Sequence, residues 1–374
     1  MVQMLRASCL LWLIGCTPSP DLGVRWSEQQ AWEWAETHPW PVGVNYVPRT
    51  ASNTLEMWQA DTWDPATIEQ ELAWSRGLGF NSLRVFLSDL AWEQDPEGFL
   101  DRVDQFLALA DESGHSTLLV IWDGVWDPFP VPGPQLEPIP GVHNSRWVQS
   151  PGADVLADDE AQQALQPYVE AVVSRFRDDG RILGWDLFNE ADQPNSLSYL
   201  EVELPPEQKT AQALALMQRT ETWVRALEPT QPLTTGLFAE RSWGPEDELD
   251  PIVDFMIHHS DILSFHSYAD APNVTPKLED LQAWGRPIWC TEYMGRPQST
   301  FDDLLPAFRQ RQVGAFSWGL VSGRTQTIYP WVTWVVPLPD GEPETWFHDV
   351  LHPDGSPWDP EEAAWLQSFL QTAE

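Results

Sequence analysis

Residues 182–192 read ILGWDLFNEAD, an apolar run of strand length that ends in an amide and two acids. The Gly, Pro or turn residues that more often close a strand are missing, so Asn189 and Glu190 need an explanation. Seven other runs frame them: VGVNYV (42–47), FNSLRVFL (80–87), STLLVIW (116–122), PLTTGLF (232–238), ILSFHSY (262–268), PIWCTEY (287–293) and GAFSWGLV (314–321). Segments of helical period lie between these strand-like runs. Asp64-Pro65 opens one that Gly77 and Gly79 close, and residues 96–113 form another, stopped by Gly114. Residues 161–179, 212–227, 278–284, 301–312 and 361–372 behave alike. Eight strand-like runs alternating with seven such segments, without an internal linker, predict an α/β chain folded as a single (β/α)8 TIM barrel, with a doubly wound open sheet as the alternative.

Two long irregular segments interrupt the alternation. Residues 124–152, after the third strand, are too rich in proline for a helix or a central strand, and residues 322–349 follow the eighth strand in the same way. Both leave the C-terminal ends of strands, the face on which barrels of this kind build their sites.

Composition narrows the ligand. The 374 residues include 57 acids against 20 Lys and Arg, a formal charge of -37, and such a field repels phosphate backbones and anionic headgroups. Nucleic acid is excluded as a partner, and a neutral ligand suits the surface best. The 23 tryptophans offer flat apolar faces with a polar edge, which is what a sugar ring packs against. The opening MVQMLRASCLLWLIGC has the form of a bacterial lipoprotein export signal over residues 1–15, with Cys16 as the lipidated residue, 16–25 as a tether and 26–374 as one domain. The expectation is an exported bacterial lipoprotein of the cell envelope, monomeric, touching the membrane only through the anchor at Cys16. Cys290 is then the only other mature cysteine. No Cys or His pair has zinc spacing and no phosphate-binding glycine loop occurs, so neither metal nor cofactor is expected.

The strand ends supply a partner for Glu190. Glu292 closes the seventh strand, and strands four and seven face each other across a barrel mouth, so the two carboxylates can approach to the ~5 to 5.5 Å of retaining glycosidases. Each glutamate alone could instead pair with an arginine or cap a helix. Arg84, a charge in an apolar strand, needs a carboxylate to offset its desolvation and would keep Glu292 ionised. His266 and Tyr268 alternate by two and share a face. Tyr268 is placed to hydrogen-bond Glu292, His266 to contact substrate, and Trp318 to form the floor under the reacting sugar.

Together, NE after strand four, H-x-Y on strand six, TE on strand seven and SWG on strand eight resemble the clan A glycoside hydrolases, most closely family 5, the cellulase family. The resemblance runs from about Trp26 onward and extends to a bacterial subgroup often labelled cellulase or 1,4-β-xylanase. It implies Glu190 as general acid/base, Glu292 as nucleophile and Asn189 as the holder of the sugar 2-hydroxyl, with Arg84, His266, Tyr268 and Trp318 also at the substrate. Two features depart from the family. Ala191 stands where many members have Pro, and Trp122-Asp123 stands where many have a histidine, for which His143 is a substitute. Alternatives are a catalytically silent glycan-binding protein on the same barrel and a transglycosylase.

Overall fold

The computed structural model describes residues 24–371 apart from 197, 200–201, 203 and 239–241. Cys16, the export signal and most of the tether lie outside the described residues. Arg25, expected to end the tether, belongs to the folded body instead. Its guanidinium donates to the carbonyls of Ser260 and Ile257, at 2.6 and 2.5 Å.

The strands are β1 (Val42–Asn45), β2 (Ser82–Phe86), β3 (Ser116–Asp123), β4 (Ile182–Asn189), β5 (Leu233–Thr234), β6 (Gly236–Leu237), β7 (Leu263–His266), β8 (Ile288–Tyr293) and β9 (Gly314–Trp318). They form one parallel sheet in the order β5-β4-β3-β2-β1-β9-β8-β7-β6. The fifth barrel strand is split: β5 pairs with β4, β6 pairs with β7, and the chain at Thr235 carries the ring across. Nine segments thus make the eight staves of a (β/α)8 barrel, and the open-sheet alternative is set aside. Close approach of β1 to β2 depends on Gly43, where a Cβ would lie 1.8 Å from the Ser82 carbonyl oxygen.

The helices pack their apolar stripes on the outside of this ring. Pro65–Leu78 starts on the Asp64 cap and ends on Gly79 in the left-handed conformation, and Pro96–Glu112 buries Phe99, Val103, Phe106 and Leu107, both as the sequence predicts. Others differ from expectation. Residues 161–179 resolve into Asp159–Gln163 and Gln166–Phe176, because Pro167 restarts the helix in its first turn. The helix expected from 212 begins at Pro206 and the one expected from 278 begins at Ala271, running through Pro276. Five further helices among the described residues were not anticipated, the longest being Glu28–Thr37 and Pro251–His259; the second buries Ile252, Val253, Phe255, Met256 and Ile257 and exposes Asp254, His258 and His259. No helix among the described residues is long and apolar enough to cross a membrane.

Inside the barrel, Leu118, Leu183, Ile262, Trp289 and Phe316 form an apolar plug near the ends where strands begin, with Trp34 packed against it. The charged side chain of Arg84 lies at 0% exposure nearer the other end. That layer is the base of the site.

Candidate active site

Arg84 binds four of its neighbours at once. Its Nε and Nη2 donate to Asp186 Oδ2 at 2.9 and 2.8 Å, Nη2 also to Asn189 Oδ1 at 2.7 Å, and Nη1 to Asn45 Oδ1 at 2.8 Å and Glu292 Oε1 at 2.9 Å. One guanidinium thereby ties β1, β4 and β8 to β2. Burial works against its charge, but Asp186 and Glu292 outweigh that and raise its pKa above the ordinary value. Arg84 does not line the cavity. The expectation that it touches substrate is therefore corrected: enclosed at 0% exposure, it positions the groups that do.

Those groups are brought together. Glu292 accepts from Arg84 on Oε1 and from the Tyr268 hydroxyl on Oε2, at 2.7 Å. His266 Nδ1 sits 2.9 Å from Glu190 Oε1 and 3.5 Å from Glu292 Oε2, between the two carboxylates. Gly236 makes room for the ring, since a Cβ there would come within 2.8 Å of His266 Nε2. Glu190 follows β4 with φ at 49°, a backbone state unusual outside glycine, and this bend takes its side chain off the strand line. Asn189 is fixed on both sides, its Oδ1 by Arg84 and its Nδ2 by Asp123 Oδ1 at 2.9 Å.

These residues surround a cavity of about 480 Å³ lined by Asn189, Glu190, His266, Tyr268, Glu292 and Trp318, with His143, Asn144, Trp331 and His348 from the long loops. The size is that of a small-ligand pocket. His143 and Trp318 thus reach the site. Trp122 does not: its indole is fully buried and donates to Thr220 in the helix layer at 2.8 Å, because alternation along β3 turns it outward where Asp123 turns inward. Asp123 lies behind Asn189, not on the cavity, and accepts from the Trp147 indole. Burial pushes it up to about 7. A second cavity, of about 370 Å³, lies where the strands begin, among Trp32, Trp34, Trp40 and Trp289, and has no facing carboxylate pair.

The electrostatics separate the two glutamates. Burial, reinforced by Asp192, pushes Glu190 up to about 8 against the pull of Arg84 and Lys209. Burial also raises Glu292, with Glu190 adding to it, while His266, Arg84 and the Tyr268 hydroxyl pull it back. His266 is lowered by burial to about 4, so its ring is neutral near pH 7. Lys209, buried on the helix Pro206–Arg225, donates to the Gln193 carbonyl behind Glu190 and is itself lowered by burial to about 8.

Glu190, His266 and Glu292 have ligand atoms within 4.8 Å of one another, close enough to share a cation. Their lone pairs are already engaged by Arg84, Tyr268 and each other, and Arg84 opposes a second positive charge. The donor set fits proton transfer and nucleophilic attack by a carboxylate better than a metal.

A family model, cellulase (glycosyl hydrolase family 5), matches residues 46–320. The chain belongs to glycosyl hydrolase family 5. It is similar to the mannan endo-1,4-β-mannosidase 7 of Oryza sativa subsp. japonica, 28% identical over 154 residues that cover 33% of this chain and 37% of that protein. Among solved structures, an exo-β-1,4-mannosidase from an Opitutaceae bacterium, strain TAV5, superposes with a TM-score of 0.59 at 18% identity, over 89% of this chain and 59% of that one. A β-1,4-mannanase from the sea hare Aplysia kurodai gives 0.51 at 14% identity, over 74% and 87%. At these identities the superpositions speak for the fold. The chain matches less than two thirds of the length of the first two.

Several site residues are not singled out by sequence reading. Asp186 carried the signal that marked Arg84, a charge inside an apolar strand. Asn45, Asn144, Lys209, Trp331 and His348 had no comparable signal.

Proposed function

We propose that this family 5 member is a retaining β-glycosidase of neutral β-linked glycans, with Glu292 as nucleophile and Glu190 as general acid/base. The observation that carries the reading is the pair of carboxylates within 4.8 Å across the mouth, where burial favours a proton on Glu190 and is offset at Glu292 by His266, Arg84 and Tyr268. Such a short separation belongs to double displacement, because no room is left for a water between Glu292 and the anomeric carbon. In the first step Glu292 attacks the anomeric carbon, the glycosidic C–O bond breaks, and the leaving oxygen takes the Glu190 proton. In the second, water attacks the same carbon, Glu190 accepts its proton, and the ester to Glu292 is released.

Asn189, held from both sides, presents its amide to the 2-hydroxyl, and Trp318 packs under the ring. The names of the similar proteins place β-1,4-linked mannose glycans first among substrates to try. The test is a panel of β-glycans and aryl β-glycosides with proton NMR of the first product. Release with the β configuration supports the reading, and initial α product or no release from any substrate defeats it. We also propose export as a monomer anchored through Cys16. Cys16→Ser should move the protein from the membrane to the soluble fraction, and an unchanged membrane fraction would remove the anchor.

A further inference from the structure

The loops after β3 and β9 are joined to each other. The Asn144 N–H donates to the Thr325 carbonyl at 2.9 Å, the His143 N–H to Thr333 Oγ1 at 2.9 Å, and the Leu338 N–H to the Gly141 carbonyl at 3.0 Å. Contact is close enough that a Cβ on Gly141 would fall 2.0 Å from the Leu338 carbonyl oxygen. The result is a continuous wall across one side of the mouth.

The wall stands on the nucleophile's side. Tyr268 reaches Glu292 with its hydroxyl, and its ring meets Trp331 and His348 with centroids at 4.8 and 5.4 Å. One tyrosine therefore spans from nucleophile to wall. Val125, Trp126, Gln193, Phe238 and Ala269 also line the cavity.

The wall also carries polar atoms without partners. Both Oδ1 and Nδ2 of Asn144 and Nε2 of His348 are buried and unbonded, in residues each 1% exposed that line the cavity. Asn144 is held there at φ 50°. His348 Nδ1 is committed to the Met294 carbonyl and His143 Nδ1 to the Tyr329 carbonyl, so each Nε2 is left as an acceptor. Burial keeps both rings neutral. An unpaired buried polar group is costly to keep, and three in one cavity wall call for a ligand that pairs them. One donor beside several acceptors matches adjacent sugar hydroxyls, each of which gives and takes a hydrogen bond.

We propose that Asn144 and His348, with His143, bind the hydroxyls of the non-reducing terminal sugar, so that the protein removes single sugars from chain ends. This rests on the glycosidase reading above. The closed wall admits no further sugar beyond the one on Glu292, which a groove for internal cleavage would require.

The test uses the wild-type protein on β-1,4-linked mannose and glucose oligosaccharides labelled at the reducing end. A parallel set carries a 4-O-methyl group on the non-reducing terminal sugar. Expected are monosaccharide as the first product, a ladder that shortens by one, and at least about 100-fold slower cleavage of the methylated set. Asn144→Gly, which suits the backbone at φ 50°, and His348→Gln should each lower kcat/KM on aryl monoglycosides by about 10- to 100-fold. Mixed internal products, or methylated chains cut at the unmethylated rate, would overturn chain-end action and leave the glycosidase reading intact. No release from any oligosaccharide or aryl glycoside would remove both.

Discussion

Glu292 accepts hydrogen bonds on both oxygens, from Arg84 and from Tyr268, and faces a guanidinium. Glu190 has His266 alone among the described residues, with Asp192 adding negative charge and the two cations that favour its ionised form, Arg84 and Lys209, bonded elsewhere. The side chains are chemically identical and both are buried, so their difference comes wholly from what surrounds them. Burial by itself raises both carboxyls; the asymmetric placement of Asp192, His266, the two cations and the Tyr268 hydroxyl separates their titrations. The comparison teaches that role here is written in the neighbours, and each neighbour can be removed.

The largest effect should come from Glu292→Ala. Losing the nucleophile should cost at least about 10⁴-fold in kcat, with azide restoring turnover and giving product of inverted configuration. If azide inverted product only in the Glu190 variant, the two roles would be exchanged. Glu190→Ala comes next: about 10²- to 10⁴-fold slower on poor leaving groups and far less on activated aryl ones, which scarcely need the proton. Equal losses across a leaving-group series would show that Glu190 donates none.

Arg84→Met removes a positive charge that favours ionised Glu292, so the acid limb of the pH–rate profile should move upward, with about 10²-fold lower kcat at the optimum. Because this variant also strands Asp186, with a cost of about 3–5 kcal/mol in stability, Asp186→Asn combined with it keeps the barrel charge-balanced for the measurement. An unmoved acid limb in the folded double variant would reduce Arg84 to a scaffold. The smallest effect belongs to Lys209→Met. Loss of that cation should raise Glu190 further and carry the basic limb upward, by less than Arg84 moves the other, since Lys209 bonds to the Gln193 carbonyl and not to the carboxyl. The two limbs report the coupled pair, so a Lys209 variant that shifted only the acid limb would mean the limbs are assigned the wrong way round.

Much of this was readable in the chain because barrel strands impose a period of two and converge at one rim. That geometry made Arg84, Glu190, His266, Tyr268 and Glu292 visible as polar residues where apolar ones belong. The same period argues for Asp123 over Trp122, a distinction lost when the two are taken as adjacent candidates. The wall was not readable. Loops have no period, so nothing in GVHNSRW or TWFHD marks Asn144 or His348 as neighbours until the loops bond to each other. The fifth strand was blurred by its interruption at Thr235, and the helix Pro251–His259 by a length of 9 residues, too short to display its period clearly.

Asp186 looks redundant at first, a second acid on an arginine that already has Glu292. In double displacement, however, Glu292 is an anion for only part of each turnover. Once it is esterified to the sugar it carries no charge, and without Asp186 the buried Arg84 cation would be left uncompensated at the moment the intermediate must persist long enough for water to arrive. With Asp186 at 2.8 Å, the guanidinium keeps an ionic partner through the whole cycle. In the double displacement proposed above, a covalent intermediate on Glu292 would then form without the barrel interior acquiring an unbalanced positive charge.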